Sequence, residues 1–192
     1  MSRRVHNEAR RIPLDAYYTE DATALACVRT LDLLDEGLTV IEPSVGGGAF
    51  VRAVIEVAPS SYVIGVDVNP DAAGTALCQY ALDCDFAITT GHAHWIIGNP
   101  PYSHAEAHVR HALTLAPRCA FLLRLAFLES VKRVDFWRDH QPSEVFVLAK
   151  RPSFTGGGTD SAAYGWFVWD RTKPGPTRMS ILTPDGPLWE TT

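Results

Sequence analysis

Three glycines stand together at Gly46-Gly47-Gly48, between a short apolar run and a helical stretch. The run before them, Thr39-Val40-Ile41-Glu42, reads as a buried strand. Val51 to Ala58 after them reads as a helix that Pro59 stops. A strand feeding a glycine turn and then a helix confines this part of the chain to a βα unit. In such a unit backbone approaches a ligand closely and helix N–H groups point at it. A second apolar run, Tyr62 to Val66, ends on Asp67. That places an acid about 20 residues past the glycines, the spacing at which a carboxylate meets ribose hydroxyls in dinucleotide folds. The glycine order is not G-x-G-x-x-G, which disfavours a nicotinamide cofactor. The absence of G-x-x-x-x-G-K-[ST] disfavours an ATP phosphate loop. Taken alone, the loop is equally a tight strand-to-helix turn.

A second motif decides between them. Trp95-Ile96-Ile97-Gly98 is another apolar run, and it is followed by Asn99-Pro100-Pro101-Tyr102. Both prolines have a fixed φ and no N–H donor. Asn99, standing before a proline, is pushed out of the helical region. A stiff cluster of acceptors with an aromatic ring beside it suits a planar substrate bearing an amino or amide NH2 group.

The two motifs together resemble one family. Glu42-Pro43-Ser44-Val45-Gly46-Gly47-Gly48-Ala49-Phe50 is similar to motif I of the amino-methyltransferases, E-P-S-x-G-x-G-x-F. Asn99-Pro100-Pro101-Tyr102 is similar to their catalytic motif IV, [DNS]-P-P-[YFW]. Tyr17-Tyr18-Thr19 resembles motif X, Asp67 the ribose-binding acid of motif II, and Asp85-Phe86 motif III. The family is the S-adenosylmethionine-dependent N6-adenine DNA methyltransferases, its small phage-type members in particular. The resemblance implies a class I methyltransferase, Rossmann-like α/β fold. It implies a cofactor site built from Tyr17, Thr19, Glu42, Pro43, Ser44, Gly46, Gly48, Phe50, Asp67, Val68, Asp85, Phe86 and Asn99. Asn99, Pro100, Pro101 and Tyr102 are the implied catalytic group, with S-adenosylhomocysteine as product and no metal.

Length suits one domain over 1–192. No apolar run reaches membrane-spanning length and the N-terminus lacks a signal-peptide core, so a cytoplasmic protein with no membrane partner is expected. Cys27, Cys78, Cys84 and Cys119 form no C-x-x-C pair and read as reduced, mostly buried thiols. His104, His108 and His111 share helical spacing but match no zinc pattern, and are read as a polar helix face. The net charge of −5 is unevenly spread. Residues 12–109 hold 13 acids against Arg29 and Arg52, whereas 1–11 and 110–192 each carry a net +3. Basic flanks beside an acidic cofactor half are compatible with phosphate contacts, and equally with an ordinary mixed surface.

Along the chain strands and helices alternate. A helix over Ala22 to Leu34, capped by Thr19 or Asp21, precedes strands near 39–42, 62–66, 86–88 and 95–98. A helix near 103–115, a strand Cys119 to Leu125, a helix Leu128 to Arg138 and strands Glu144 to Ala149 and Tyr164 to Trp169 complete it. This pattern predicts a seven-stranded, mostly parallel sheet with one antiparallel strand and helices on both faces. Residues 1–16 form a basic arm, and 151–163 a glycine-rich loop that corresponds to motif VIII in the resemblance. There an aromatic ring stacks on the target base; Phe154 is the first candidate and Trp166 the second, the neighbouring aromatics belonging to the core. Motifs I and IV lie close together and little follows Trp169, leaving no long target-recognition segment. Recognition would then fall to short loops, the basic arm, a second subunit such as a dimer partner, or an accessory specificity protein.

The chemistry this implies is methyl transfer to the N6 amine of adenine in DNA. RNA adenine presents the same amine. A protein glutamine amide poses the same NH2 problem, although glutamine methyltransferases usually carry a preceding helical domain. A cofactor-sensing binding module is the non-enzymatic alternative, against which stand intact Asn99, Gly46, Gly48 and Asp67.

Overall fold

The apolar runs are continuous rather than alternating, the pattern of strands buried on both faces. The computed structural model describes residues 18–33, 37–69, 78–79, 93–153 and 161–188. Its strands are β1 (Thr39–Glu42), β2 (Tyr62–Val66), β3 (Cys78–Gln79), β4 (Trp95–Gly98) and β5 (Arg118–Arg124), then β6 (Glu144–Leu148), β7 (Tyr164–Asp170), β8 (Arg178–Thr183) and β9 (Gly186–Pro187). They form one sheet in the order β3-β2-β1-β4-β5-β7-β6-β8-β9. β1 to β5 pair in parallel, β7 is antiparallel to both β5 and β6, and β8 runs parallel to β6. This is the expected mostly parallel sheet with β7 as its reversed strand. Among the described residues it has nine strands rather than seven, because β8 and β9 extend the edge beyond β6 as a hairpin. β8 is largely exposed or half-buried, so it carries no apolar run to mark it. The strand expected at 86–88 lies outside the described residues, and the edge beside β2 is held by Cys78–Gln79.

Period-two alternation sorts the strand side chains between two cores. Val40, Trp95, Ile97, Ala120, Leu122, Trp166 and Val168 face one layer, with Phe50, Ala53 and Cys27 from α1 (Asp21–Val28) and α2 (Ala49–Val57). Ile41, Ile96, Phe121, Leu123, Phe167 and Trp169 face the other, with Val109, Ala112 and Phe136 from α3 (Ala105–Leu115) and α4 (Val134–Asp139). Two helices differ from expectation. α1 stops at Val28, and Glu20 takes its N-cap position without a side-chain bond. Thr19 and Asp21, the expected caps, are engaged elsewhere, by Asn99 and Arg52. The helix expected from Leu128 is a 3-10 turn at Val131–Arg133 followed by the short α4.

β2 and β3 lie on one side of β1 and β4 and β5 on the other, so the strand order reverses between β1 and β4. In open α/β sheets ligands bind at such a switch point, outside the carboxyl ends of the strands. The glycine loop leaves β1 there and Asn99-Pro100-Pro101-Tyr102 leaves β4 beside it.

Candidate functional site at the β1–β4 switch point

The glycine loop is shaped by two left-handed residues, Gly46 (φ +49) and Gly48 (φ +77), the latter serving as N-cap of α2. Its position is fixed across the sheet. The Val45 N–H donates to the Val66 carbonyl (3.1 Å), and the Gly46 N–H donates to Asp67 Oδ2 (2.7 Å). The other oxygen, Oδ1, accepts from the Asn69 N–H (2.7 Å). Each carboxylate oxygen has a second lone pair, so Asp67 keeps acceptor capacity toward a ligand while it holds the loop. Tyr18 lies on the loop from outside: a β-carbon on Gly46 would stand 2.8 Å from its ring. Tyr18 and Val68 are both half-exposed, leaving apolar surface on either side of the Gly46–Asp67 pair. Arg52 ties this region together, donating to the Gly47 carbonyl (2.8 Å) and to Asp21 Oδ1 (2.6 Å).

Glu42 ends β1 and is buried. Its Oε1 accepts from the Ser44 N–H (3.1 Å), and its Oε2 is buried with no hydrogen-bond partner among the described residues. Burial pushes its carboxyl well above the usual carboxylate range; the Ser44 N–H opposes this and the Asp67 charge reinforces it. The carboxyl lies directly on the Cα of Gly98, so the last residue of β4 has no room for a side chain. Glu42 of motif I therefore rests on Gly98, the residue immediately before motif IV. Pro43 and Phe50 are buried beneath the loop, and Ser44 is half-buried.

Asn99 follows Gly98. Its Nδ2 donates to Thr19 Oγ1 (3.1 Å), which turns the carboxamide oxygen away from Thr19. Pro101 is extended (φ −52, ψ 124), and the chain then tightens into the 3-10 turn Tyr102–His104, closed by the His104 N–H on the Pro101 carbonyl (2.9 Å). Tyr102 is wedged among aromatic and polar neighbours. Its ring lies 5.6 Å from that of the fully buried Tyr164, and the Arg124 guanidinium sits over it at 4.9 Å. Arg124 also donates from Nε to the Tyr164 hydroxyl (3.1 Å). Burial pushes the Tyr102 hydroxyl up, Tyr164 adds to this, and Asn99 and Arg124 oppose it. It stays a neutral phenol at any physiological pH.

The structure thus gathers Thr19, Glu42, Pro43, Ser44, Gly46, Gly48, Asp67, Val68, Asn99, Pro100, Pro101 and Tyr102 at the carboxyl ends of β1, β2 and β4. Tyr17, Asp85, Phe86 and Phe154 lie outside the described residues. Phe50 and Trp166 face inward: the two rings stack at 5.3 Å, and Trp166 is fully buried, closed to a substrate in this conformation. Tyr164, Phe167 and Trp169 are core residues as expected. Sequence reasoning placed Tyr18 in motif X without giving it a role, and missed Arg52 and Arg124, isolated residues whose roles depend on partners far along the chain. The three histidines do not form a polar face. His108 is buried, with Nδ1 3.1 Å from the His104 carbonyl, because it lies on the side of α3 turned to the sheet. Cys27 and Cys119 are buried free thiols. Among the described residues there is no cluster of three or more potential metal ligands, and no helix is long and apolar enough to cross a membrane.

No protein-family model matches the chain, and no curated protein matches it by sequence. Solved structures match it by shape. A type I restriction-modification methyltransferase subunit from Streptococcus thermophilus superposes with a TM-score of 0.70 at 12% identity, over 85% of this chain and 46% of that one. The M protein of the type I restriction enzyme EcoKI gives 0.62 at 14% identity, over 88% of this chain and 49% of its own. The 23S rRNA methyltransferase ErmE gives 0.55 at 14%, over 82% and 71%. The chain spans about half the length of the type I subunits it matches. Strand order, the reversed strand β7 inserted between β5 and β6, and these superpositions together show that the chain has the class I methyltransferase fold.

Proposed function

We propose that this protein transfers a methyl group from S-adenosylmethionine to the N6 amine of adenine in DNA. The observation that carries the proposal is the placement of Asn99-Pro100-Pro101-Tyr102 at the switch point, facing the glycine loop, with the Asn99 carboxamide oriented by Thr19. The residues around the loop fit the cofactor. Gly46 and Gly48 let backbone approach it, Asp67 has lone pairs for ribose hydroxyls, and Val68 and Tyr18 offer apolar cover. The buried, unpartnered Oε2 of Glu42 is an acceptor suited to the cofactor's ammonium group. When bound, the cofactor supplies a methyl group activated by a sulfonium.

The amine lone pair of adenine is delocalised into the ring, so the base needs help to attack. The Asn99 oxygen and the Pro100 carbonyl accept its two N–H bonds and draw the nitrogen toward a tetrahedral form. The lone pair is then aimed at the methyl carbon. This is alignment plus electrostatic stabilisation, with no covalent enzyme intermediate. Arg124 and Tyr164 hold the Tyr102 ring, leaving it to stack on the base; Phe154 remains the candidate for a second stacking ring.

The end of the sheet that carries the site also carries Arg124, the last residue of β5, and Lys132, Lys150 and Arg151 on the connections that leave β5 and β6. A cationic rim favours a polyanion over a glutamine side chain as substrate. Sequence recognition would be completed by a second subunit or an accessory specificity protein. The test is transfer of labelled methyl to a mixed panel of DNA, RNA and protein, followed by nucleoside analysis. N6-methyldeoxyadenosine is the expected product; label confined to RNA or to protein would overturn the DNA assignment.

A further inference from the structure

We propose that the turn at 130–133 is a wedge that enters the base stack of duplex nucleic acid, Val131 being the inserted side chain and Lys132 its phosphate contact. The proposal rests on the nucleic-acid assignment above and extends it to a double-stranded substrate.

Val131 is 88% exposed, the most exposed large apolar side chain among the described residues. Leu128, on the same connection between β5 and α4, and Val134, the first residue of α4, are 43% and 42% exposed. Lone exposed apolar residues are ordinary. Here three of them lie within four residues of Lys132 in the sequence, and Lys132 forms no ion pair with any described residue.

The position of the turn is what gives this a use. The connection that carries it leaves β5 at Arg124, whose guanidinium covers the Tyr102 ring. The turn itself ends at Arg133, whose Nε lies 3.7 Å from Glu106 Oε2 in the first turn of α3, the helix that follows Tyr102–His104. The connection therefore begins on Tyr102, and the turn is tied to the start of the helix that follows it.

The mount is rigid while the tip is bare. Arg133 Nη1 donates to the carbonyls of Phe127 (3.2 Å) and Glu129 (3.0 Å), and its guanidinium stacks on the Phe127 ring at 4.8 Å. Phe127 is itself buried among Phe136, Trp137 and Phe167. Ser130 Oγ accepts from the Lys132 N–H (3.1 Å), and Ser130 is the one non-glycine residue with positive φ (151) among those described. Backbone outliers of this kind cluster at ligand clamps and other functional sites.

An adenine inside a duplex cannot reach Asn99 without leaving the stack. Proteins that open base steps insert apolar side chains between them and hold the flanking phosphates with cations. Val131 beside Lys132, at the rim of a site built for an extruded base, supplies both parts.

The experiment measures methyl transfer by the full chain to a mixed-sequence oligonucleotide pool, annealed or single-stranded. Extrusion is followed in parallel with 2-aminopurine fluorescence in the duplex. Val131→Ala should lower the duplex rate and the fluorescence rise by about tenfold, leave the single-strand rate unchanged, and leave the melting temperature unchanged because the residue is exposed. Val131→Leu should keep most of the duplex rate. An undiminished duplex rate in Val131→Ala, an equal fall on both substrates, or a wild-type protein active only on single strands overturns the wedge and leaves the nucleic-acid assignment standing. A wild-type protein that methylates neither substrate overturns that assignment, and the wedge with it.

Discussion

Gly98→Ala is the substitution for which the structure predicts most. A β-carbon there would stand 2.6 Å from Glu42 Cδ and 2.7 Å from Oε2, and closer still to Oε1. The Glu42 carboxyl would have to move, in a buried site where nothing else receives it. Losing its bond from the Ser44 N–H costs about 1 kcal/mol. Forcing extra volume into a packed core costs a further ~1–3 kcal/mol. Against this, alanine for glycine restricts the unfolded chain and returns about 0.4–1 kcal/mol. The net expectation is a destabilisation of about 1–3 kcal/mol. In a Glu42→Ala background the obstacle is gone, and the same change should be neutral or stabilising by up to about 1 kcal/mol. Urea denaturation of the wild type, both single variants and the double variant closes the cycle, with a coupling energy of about 1–4 kcal/mol between two residues far apart in sequence. An equal cost of Gly98→Ala in both backgrounds would refute the claim that Glu42 lies on Gly98.

Asp67→Ala should weaken S-adenosylmethionine binding by about 1.5–3 kcal/mol, because it removes a charged acceptor that also anchors the Gly46 N–H; calorimetry with unchanged affinity would contradict this. Arg124→Ala should lower kcat about tenfold with little change in cofactor affinity, since it frees the Tyr102 ring that the guanidinium holds; a fall in cofactor affinity alone would assign Arg124 elsewhere. Burial, with the charges of His104 and His111, lowers the His108 imidazole from 6.5 to about 4, against the His104 carbonyl. Its folded pKa lies below its unfolded one, so its contribution to stability is complete above about pH 6.5 and is lost as pH falls toward about 4. His108→Leu should flatten the melting temperature across that window, and an unchanged slope would show that other groups set it.

The parts of the site that were legible in the sequence are those whose chemistry is local. Three glycines in a row and Asn99 before two prolines constrain the backbone by their own covalent structure. The strands β1, β2 and β4 to β7 are apolar on both faces and stand out as runs. What was hidden depends on partners far along the chain. Thr19 and Asp21 look like helix caps, but Asn99 recruits Thr19 from 80 residues away and Arg52 recruits Asp21 from 31 residues away. β8 escaped notice because it is largely exposed or half-buried and carries no apolar run. The His108 side chain reads as polar by type, and only the docking of α3 on the sheet shows that it is buried. Arg124 is one arginine among many until β5 places it over Tyr102.

Nucleoside analysis of DNA incubated with S-adenosylmethionine and either the wild type or Asn99→Ala tests the central claim most directly. The wild type should yield N6-methyldeoxyadenosine. Asn99→Ala should yield almost none while binding the cofactor with near wild-type affinity, because Asn99 acts on the target amine. A variant that retains most of the product, or a wild type that methylates a different atom, would contradict the account.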